Sequence, residues 1–285
     1  MYNTDHSTPS PPGIPAESGS FPVEIGDHFL NLTRWPGSGP EVLLIHGISS
    51  SGASWTPILA GLGGSFTPVT IDLRGHGQSG RPATGYLYDD YAGDIAATID
   101  ALGMVRPLIV GHSLGGLVAL RWAAMHPDDA AAIVIEESPL RSGEDFRAPF
   151  DRWIAQNAMP VEELAGLYRE KNPALTHDQA LQRAGIMTGT APAVFTELRD
   201  DSLANEGTDR IADFERIASP ILFIRGEPDL GSMVHPGDLA GFSARLENVT
   251  VVPLPGVGHN IHGEMPEAFL GVVVPFLKAH AASPG

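Results

Sequence analysis

The chain has 285 residues, 42% of them apolar and 18% charged, which is enough material for one large core carrying an insertion. Asp and Glu number 34 against 17 Lys and Arg, and the formal charge of −17 repels phosphate backbones and anionic lipid, arguing against nucleic acid or a membrane as partner. The absence of cysteine excludes disulfides, thiolate metal sites and a cysteine nucleophile together.

In chain order, residues 1–20, MYNTDHSTPSPPGIPAESGS, are rich in Pro, Ser and Gly and read as a flexible tail. They lack the basic start and apolar run of a secretory signal, and no window of about twenty residues is continuously apolar, so a soluble, cytoplasmic protein is expected. From residue 21 short apolar runs alternate with helical patterns. EVLLIHG (41–47), TPVTIDLRG (67–75), RPLIVGHS (106–113), AAIVIEE (131–137), SPILFIRGE (219–227) and NVTVVPLPG (248–256) read as buried strands, each ended by glycine, proline or charge.

Between them DDYAGDIAATIDALG sets Ile95, Ile99 and Leu102 at helical spacing, opens on carboxylates and stops at Gly103. The closing MPEAFLGVVVPFLKAH repeats an apolar face at Phe269, Val272, Val273, Phe276 and Leu277. Strands alternating with helices imply crossover units and a mainly parallel sheet covered on both faces. The rhythm breaks over 140–218, where FDRWIAQ, VEELAGLYREK and HDQALQRAGIM are helix-like and no strand stands out. We read that block as a helical cap set into a core made of 21–139 and 219–285, lying over the sheet's carboxyl edge, where open α/β folds bind ligands.

GHSLG fits G-x-S-x-G, with Gly111, Ser113 and Gly115. A serine on a sharp strand-to-helix turn needs neighbours without bulk two residues before and after, and such a turn lifts Oγ above the sheet. Here the motif follows the strand PLIV and opens the helix LVALRWAAMH, the context that gives the pattern weight. The Leu114 amide, at the helix start, is free to bind a developing oxyanion; LLIHGISSSGASW supplies a second amide, that of Ile48. His46 reads as holding that loop. Neither a G-x-G-x-x-G fingerprint nor H-E-x-x-H spacing is present, so no cofactor and no metal is expected.

Among eleven histidines, His259 in PLPGVGHNIHGEMPEAF follows the last expected strand, on the same edge as Ser113. His262 is the runner-up, and His76 and His112 read as structural or pocket-lining. The set formed by the early HG, DLRGHGQSGRP, GHSLGG and GxGHxxHxExPExF resembles the α/β-hydrolase superfamily over residues 21–280. The resemblance implies an eight-stranded, mainly parallel core with a helical cap after strand six, and the chain order Ser, acid, His.

It also leaves two places for the acid. Many members carry it after the seventh strand, where RGEPD offers Asp229; others, including haloalkane dehalogenases and zearalenone-type lactonases, carry it after the sixth, where IVIEESP offers Glu136 and Glu137. Adjacent strand residues point to opposite faces, so only one of that pair can reach the histidine. Glu137 lies just outside the strand, 24 residues after Ser113, an interval resembling that of the sixth-strand members, whereas Glu136 would be buried or turned aside. Against Asp229, the resemblance implies a Val-Pro-like helix start within about three residues of a seventh-strand acid, whereas here Leu230 to Val234 intervene before His235 and Pro236; aligned from that end, the acid's place falls on Gly231 or Ser232. Glu137 is therefore preferred, with Asp229 the alternative.

The expected activity is hydrolysis of a carboxylic ester or lactone of a hydrophobic small molecule through an acyl-enzyme on Ser113, with His259 as base and Glu137 as acid. A carbon–carbon bond hydrolase, a cofactor-free perhydrolase and a small-molecule receptor built on the same fold are the alternatives; a homo-oligomer is compatible with all of them.

Overall fold

The computed structural model describes residues 18–281. Each of the six apolar runs contains a strand: β3 (Glu41–Ile45), β4 (Thr67–Ile71), β5 (Leu108–His112), β6 (Ala132–Glu136), β7 (Ile221–Arg225) and β8 (Val249–Pro253). Two further strands, β1 (Gly19–Ile25) and β2 (His28–Arg34), come before them as a hairpin. The pattern that marks the hairpin is alternation, with Phe21 and Val23 and then Leu30 and Leu32 buried, around the two-residue turn Gly26–Asp27. Residues 1–17 of the expected tail lie outside the described residues. Its last two residues already belong to β1, where Ser20 pairs with Thr33 and their hydroxyls hydrogen-bond at 2.7 Å.

The eight strands form one sheet in the order β1-β2-β4-β3-β5-β6-β7-β8, parallel from β4 to β8 and antiparallel between β1 and β2 and between β2 and β4. Because strand side chains alternate, two cores result. Leu43, Ile45, Ile109, Ile133 and Ile135 face one layer, and Val42, Leu44, Val110 and Val134 face the other. The helices are α1 (Thr56–Gly63), α2 (Tyr88–Leu102), α3 (Leu114–Met125), α4 (Arg147–Asn157), α5 (Val161–Lys171), α6 (His177–Gly189), α7 (Pro192–Ala204), α8 (Pro236–Arg245), α9 (Ile261–Glu264) and α10 (Pro266–His280). The first core takes Ile95 of α2, Val118 of α3 and Phe242 of α8; the second takes Ile58 of α1 and Phe269, Val273 and Leu277 of α10. Helix α2 ends at Gly103 in the left-handed conformation, φ 65°, which a side chain with a Cβ disfavours.

Helices α4–α7 are inserted after β6, and no strand interrupts them. The sequence reading separated three of the four. It missed α7, whose start is marked by Pro192 in the first turn, where a proline loses no helical bond.

Candidate active site

The glycines of the elbow are there because backbone occupies the space a side chain would need. A Cβ on Gly111 would lie 2.5 Å from the carbonyl oxygen of Gly115, and one on Gly115 would lie 2.2 Å from that of Ile45. Ser113 sits between β5 and α3 with φ 52° and ψ −115°, a strained conformation of the sort concentrated at functional sites. The turn is held from β6: the Ser113 amide donates to the Glu136 carbonyl at 2.9 Å, and the Ser138 hydroxyl donates to the Ser113 carbonyl at 2.8 Å.

Glu137 leaves β6 with the same φ of 52° and is completely buried. Its Oε1 accepts from the Gly226 amide at 2.6 Å and the Ser232 hydroxyl at 2.8 Å, and its Oε2 from the Met233 amide at 2.9 Å. The fourth contact of this carboxylate is His259 Nδ1, 3.3 Å from Oε2. A carboxylate can stay buried only when so supplied with donors. Nδ1 therefore carries the proton, and Nε2 is left with a lone pair to take one. The structure thus brings Glu137 and His259 together and leaves Asp229 exposed on the single turn Pro228–Leu230. Ser232, where counting along the seventh-strand loop put the acid's place, donates to the sixth-strand carboxylate instead.

The loop after β3 is built by two neutral imidazoles. His46 donates through Nδ1 to the Gly47 carbonyl at 2.7 Å and accepts at Nε2 from the Leu73 amide at 3.0 Å. His76 donates to the Arg74 carbonyl at 2.9 Å and accepts from the Ser49 amide at 3.2 Å. Accepting at Nε2 requires the uncharged ring, and burial pushes His46 down to about 4 and His76 to about 3. This fixes the backbone at Ile48. The amides of Ile48 and Leu114 donate to no acceptor among the described residues, and both residues line one pocket with Ser113. Two unpaired amides beside a serine hydroxyl form an arrangement able to bind an oxyanion.

An alpha/beta hydrolase family model matches residues 42–272. The chain belongs to this family. Among curated proteins, 2-(acetamidomethylene)succinate hydrolase of Mesorhizobium japonicum is 32% identical over 269 residues, covering 90% of this chain and 94% of that protein. A crystal structure of E-2-(acetamidomethylene)succinate hydrolase superposes with a TM-score of 0.75 at 29% identity, over 92% of this chain and all of that one. An N-acyl homoserine lactonase mutant complexed with N-hexanoyl homoserine reaches 0.76 over 94% of this chain and 99% of that one; at 20% identity it speaks for the fold alone.

In this hydrolase the pocket in front of Ser113 is roofed by the insertion. Phe146, Phe150, Trp153 and Leu198 close it from above, and Tyr88, Leu117 and Met233 from the core. Other large side chains of the insertion lie elsewhere: Phe195 is fully buried, and Tyr168 and Met187 border a separate groove. Two guanidiniums also reach the wall. Arg141 is held by Asp238 at 2.6 and 2.8 Å, and Arg210 by Asp201 at 2.9 Å while it stacks on the Tyr88 ring at 4.7 Å. Among the described residues no cluster of three or more His, Asp and Glu could hold a metal, and no helix is long and apolar enough to cross a membrane.

Sequence reasoning missed a second Glu–His pair under the first. Glu136, completely buried, accepts from the His262 amide at 2.9 Å and lies 2.7 Å from His262 Nδ1. The signal was available: His262, the runner-up base, and Glu136, the discarded carboxylate, pair with each other.

Proposed function

We propose that this protein is a serine hydrolase that opens an acyl bond of a small carbonyl compound through an acyl-enzyme on Ser113. The observation that carries the reading is the contact of buried Glu137 with His259 Nδ1, which leaves Nε2 as the proton acceptor on the edge where Ser113 stands. His259 takes the Ser113 proton as Oγ bonds to the carbonyl carbon, and the oxyanion is met by the amides of Ile48 and Leu114. The bond to the leaving atom then breaks and that atom receives the proton from His259. In the second half His259 deprotonates water, which attacks the ester and releases Ser113.

The leaving atom can be nitrogen, carbon or oxygen. Kinship favours an amide-type or carbon–carbon substrate over the ester or lactone expected from sequence, because the relative aligned over most of both chains is named for an acetamido compound. That relative's substrate is also a succinate, and two arginines in the pocket wall make a carboxylate-bearing substrate reasonable here, in competition with the aspartates that hold them. The test has two arms. A fluorophosphonate should label wild-type protein at Ser113 and not Ser113→Ala, and failure to label would end the serine-hydrolase reading. A turnover panel of N-acyl enamides, vinylogous diketones, aryl esters and lactones, each with and without a carboxylate, ranks the bond. A kcat/KM highest for plain esters or lactones would restore the oxygen leaving group.

A further inference from the structure

The turn that carries the base, residues 259–262, is gripped at both ends by side chains that take no part in the chemistry. β5 and β6 run parallel with His112 opposite Glu136. By alternation both share the face of Val110 and Val134, which pack under α1 and α10. His112 immediately precedes the nucleophile and Glu136 immediately precedes the acid. His112 Nε2 donates to the His259 carbonyl at 2.9 Å, while Glu136 accepts the His262 backbone N–H and the ring Nδ1–H.

The proton positions follow from the partners. A carbonyl only accepts, so the His112 proton is on Nε2, and burial pushes the ring down to about 3, keeping it neutral. Burial alone would raise the Glu136 carboxyl, yet it lies below the usual carboxylate range because His262 faces it and donates to it through both its ring and its backbone N–H. His262 is 1% exposed, with its ring 4.2 Å from that of Trp55 and its Nε2 without a partner among the described residues. A buried polar pair of this kind adds less stability than well-packed apolar side chains would. What it adds is direction, because two bonds of fixed geometry end on one residue. The segment needs it: Gly256, at φ 79°, and Gly258 precede His259 and give the loop no stiffness of its own.

We propose that His112, Glu136 and His262 are positioning residues, which fix the 259–262 turn so that the His259 imidazole is held between Glu137 and Ser113. The proposal rests on the reading of Ser113 as nucleophile. Its test compares wild type with the doubly apolar Glu136→Leu/His262→Phe variant and with His112→Gln and His112→Leu. The double variant keeps the volume under Trp55. Its thermal midpoint should stay within a few degrees of wild type while kcat and the rate of fluorophosphonate acylation fall about 10–100-fold, the scale of an ångström misplacement, and KM stays put. His112→Gln, which retains a donor, should keep more kcat than His112→Leu.

A folded double variant that acylates at the wild-type rate overturns the proposal, as does a folded His112→Leu with wild-type kcat. Imidazole nitrogen NMR of wild type needs no variant to fold: His112 should carry its proton on Nε2 and His262 on Nδ1, and the opposite tautomer in either ring overturns the arrangement. Wild type that resists the fluorophosphonate would remove the hydrolase reading itself, and this proposal with it.

Discussion

The carboxyl edge of the sheet and the helices above it are built on opposite terms. At the edge His46, His76, Glu136, Glu137 and His262 are all but inaccessible, and each is tied to backbone or to another of its kind. In the insertion the buried side chains are mainly apolar, Phe150, Leu164, Met187, Phe195 and Leu198 among them. Many of its charges sit in surface pairs such as Arg147 with Glu144 and Arg199 with Asp151, where water and salt screen them. The edge is a directed polar network, where an atom's place matters. The insertion is a packed apolar roof, where volume matters. Substitutions in the two regions should therefore fail differently.

The largest effect is expected at the edge. Glu137→Gln keeps the size of the side chain but removes the charge that holds the His259 tautomer, and kcat should fall by about 10³–10⁴-fold with little change in KM. Asp229→Asn, on its exposed turn, should leave kcat within about twofold. Steady-state kinetics on the same substrate check both, and the reverse ranking would move the acid to the seventh strand.

Next comes pH. Burial pushes His46, His76 and His112 down from the ordinary imidazole value of 6.5 to about 4, about 3 and about 3. Between pH 6.5 and about 4 the unfolded chain binds protons that the folded chain refuses, so stability falls as pH falls, by up to about 1.4 kcal/mol per pH unit for each ring. Above pH 7 these rings contribute no slope. Glu136 acts in the same direction at lower pH, since its depressed pKa gives stability that is lost as the carboxylate is protonated. Denaturant melts from pH 8 to 4 should thus be flat and then steep. A stability independent of pH down to 4 would mean that the edge is not the closed network described above.

The same contrast governs what the sequence could tell. Six strands were legible because β3 to β8 are short, mainly apolar runs ended by glycine, proline or charge; β3 to β7 are largely buried, whereas β8, expected to be buried, lies at the sheet's edge with every residue half-buried or exposed. The tight turn that carries Ser113 was legible because Gly111 and Gly115 record a steric demand. The β1–β2 hairpin was weaker, because one face is wet and side-chain type does not follow the alternation throughout: His28 and Arg34 stand at buried positions and Phe29 at an exposed one. Glu137 could be preferred to Asp229 by loop length, but its donors Gly226, Ser232 and Met233 lie 89 to 96 residues away, and nothing local announces them. The roof was least legible. Trp153, Phe150 and Phe195 look alike in sequence, and only tertiary packing decides which of them meets the substrate.

The smallest effect belongs to that roof. The pocket in front of Ser113 is narrow, and Phe150 and Trp153 of the insertion form part of its wall, so the roof limits the bulk of the acyl group it admits. Trp153 is only half-buried, and Trp153→Ala should therefore cost less stability than truncating a fully enclosed aromatic, for which about 3–5 kcal/mol is usual. It opens volume without touching Ser113, His259 or Glu137. The fluorophosphonate rate should stay within a few-fold of wild type, while kcat/KM for bulky acyl groups rises by up to about tenfold relative to small ones, the range within which apolar pocket shape discriminates. A Trp153→Ala variant that lost acylation as heavily as Glu137→Gln would show that the roof takes part in aiming the nucleophile, and the division of labour between edge and insertion would have to be redrawn.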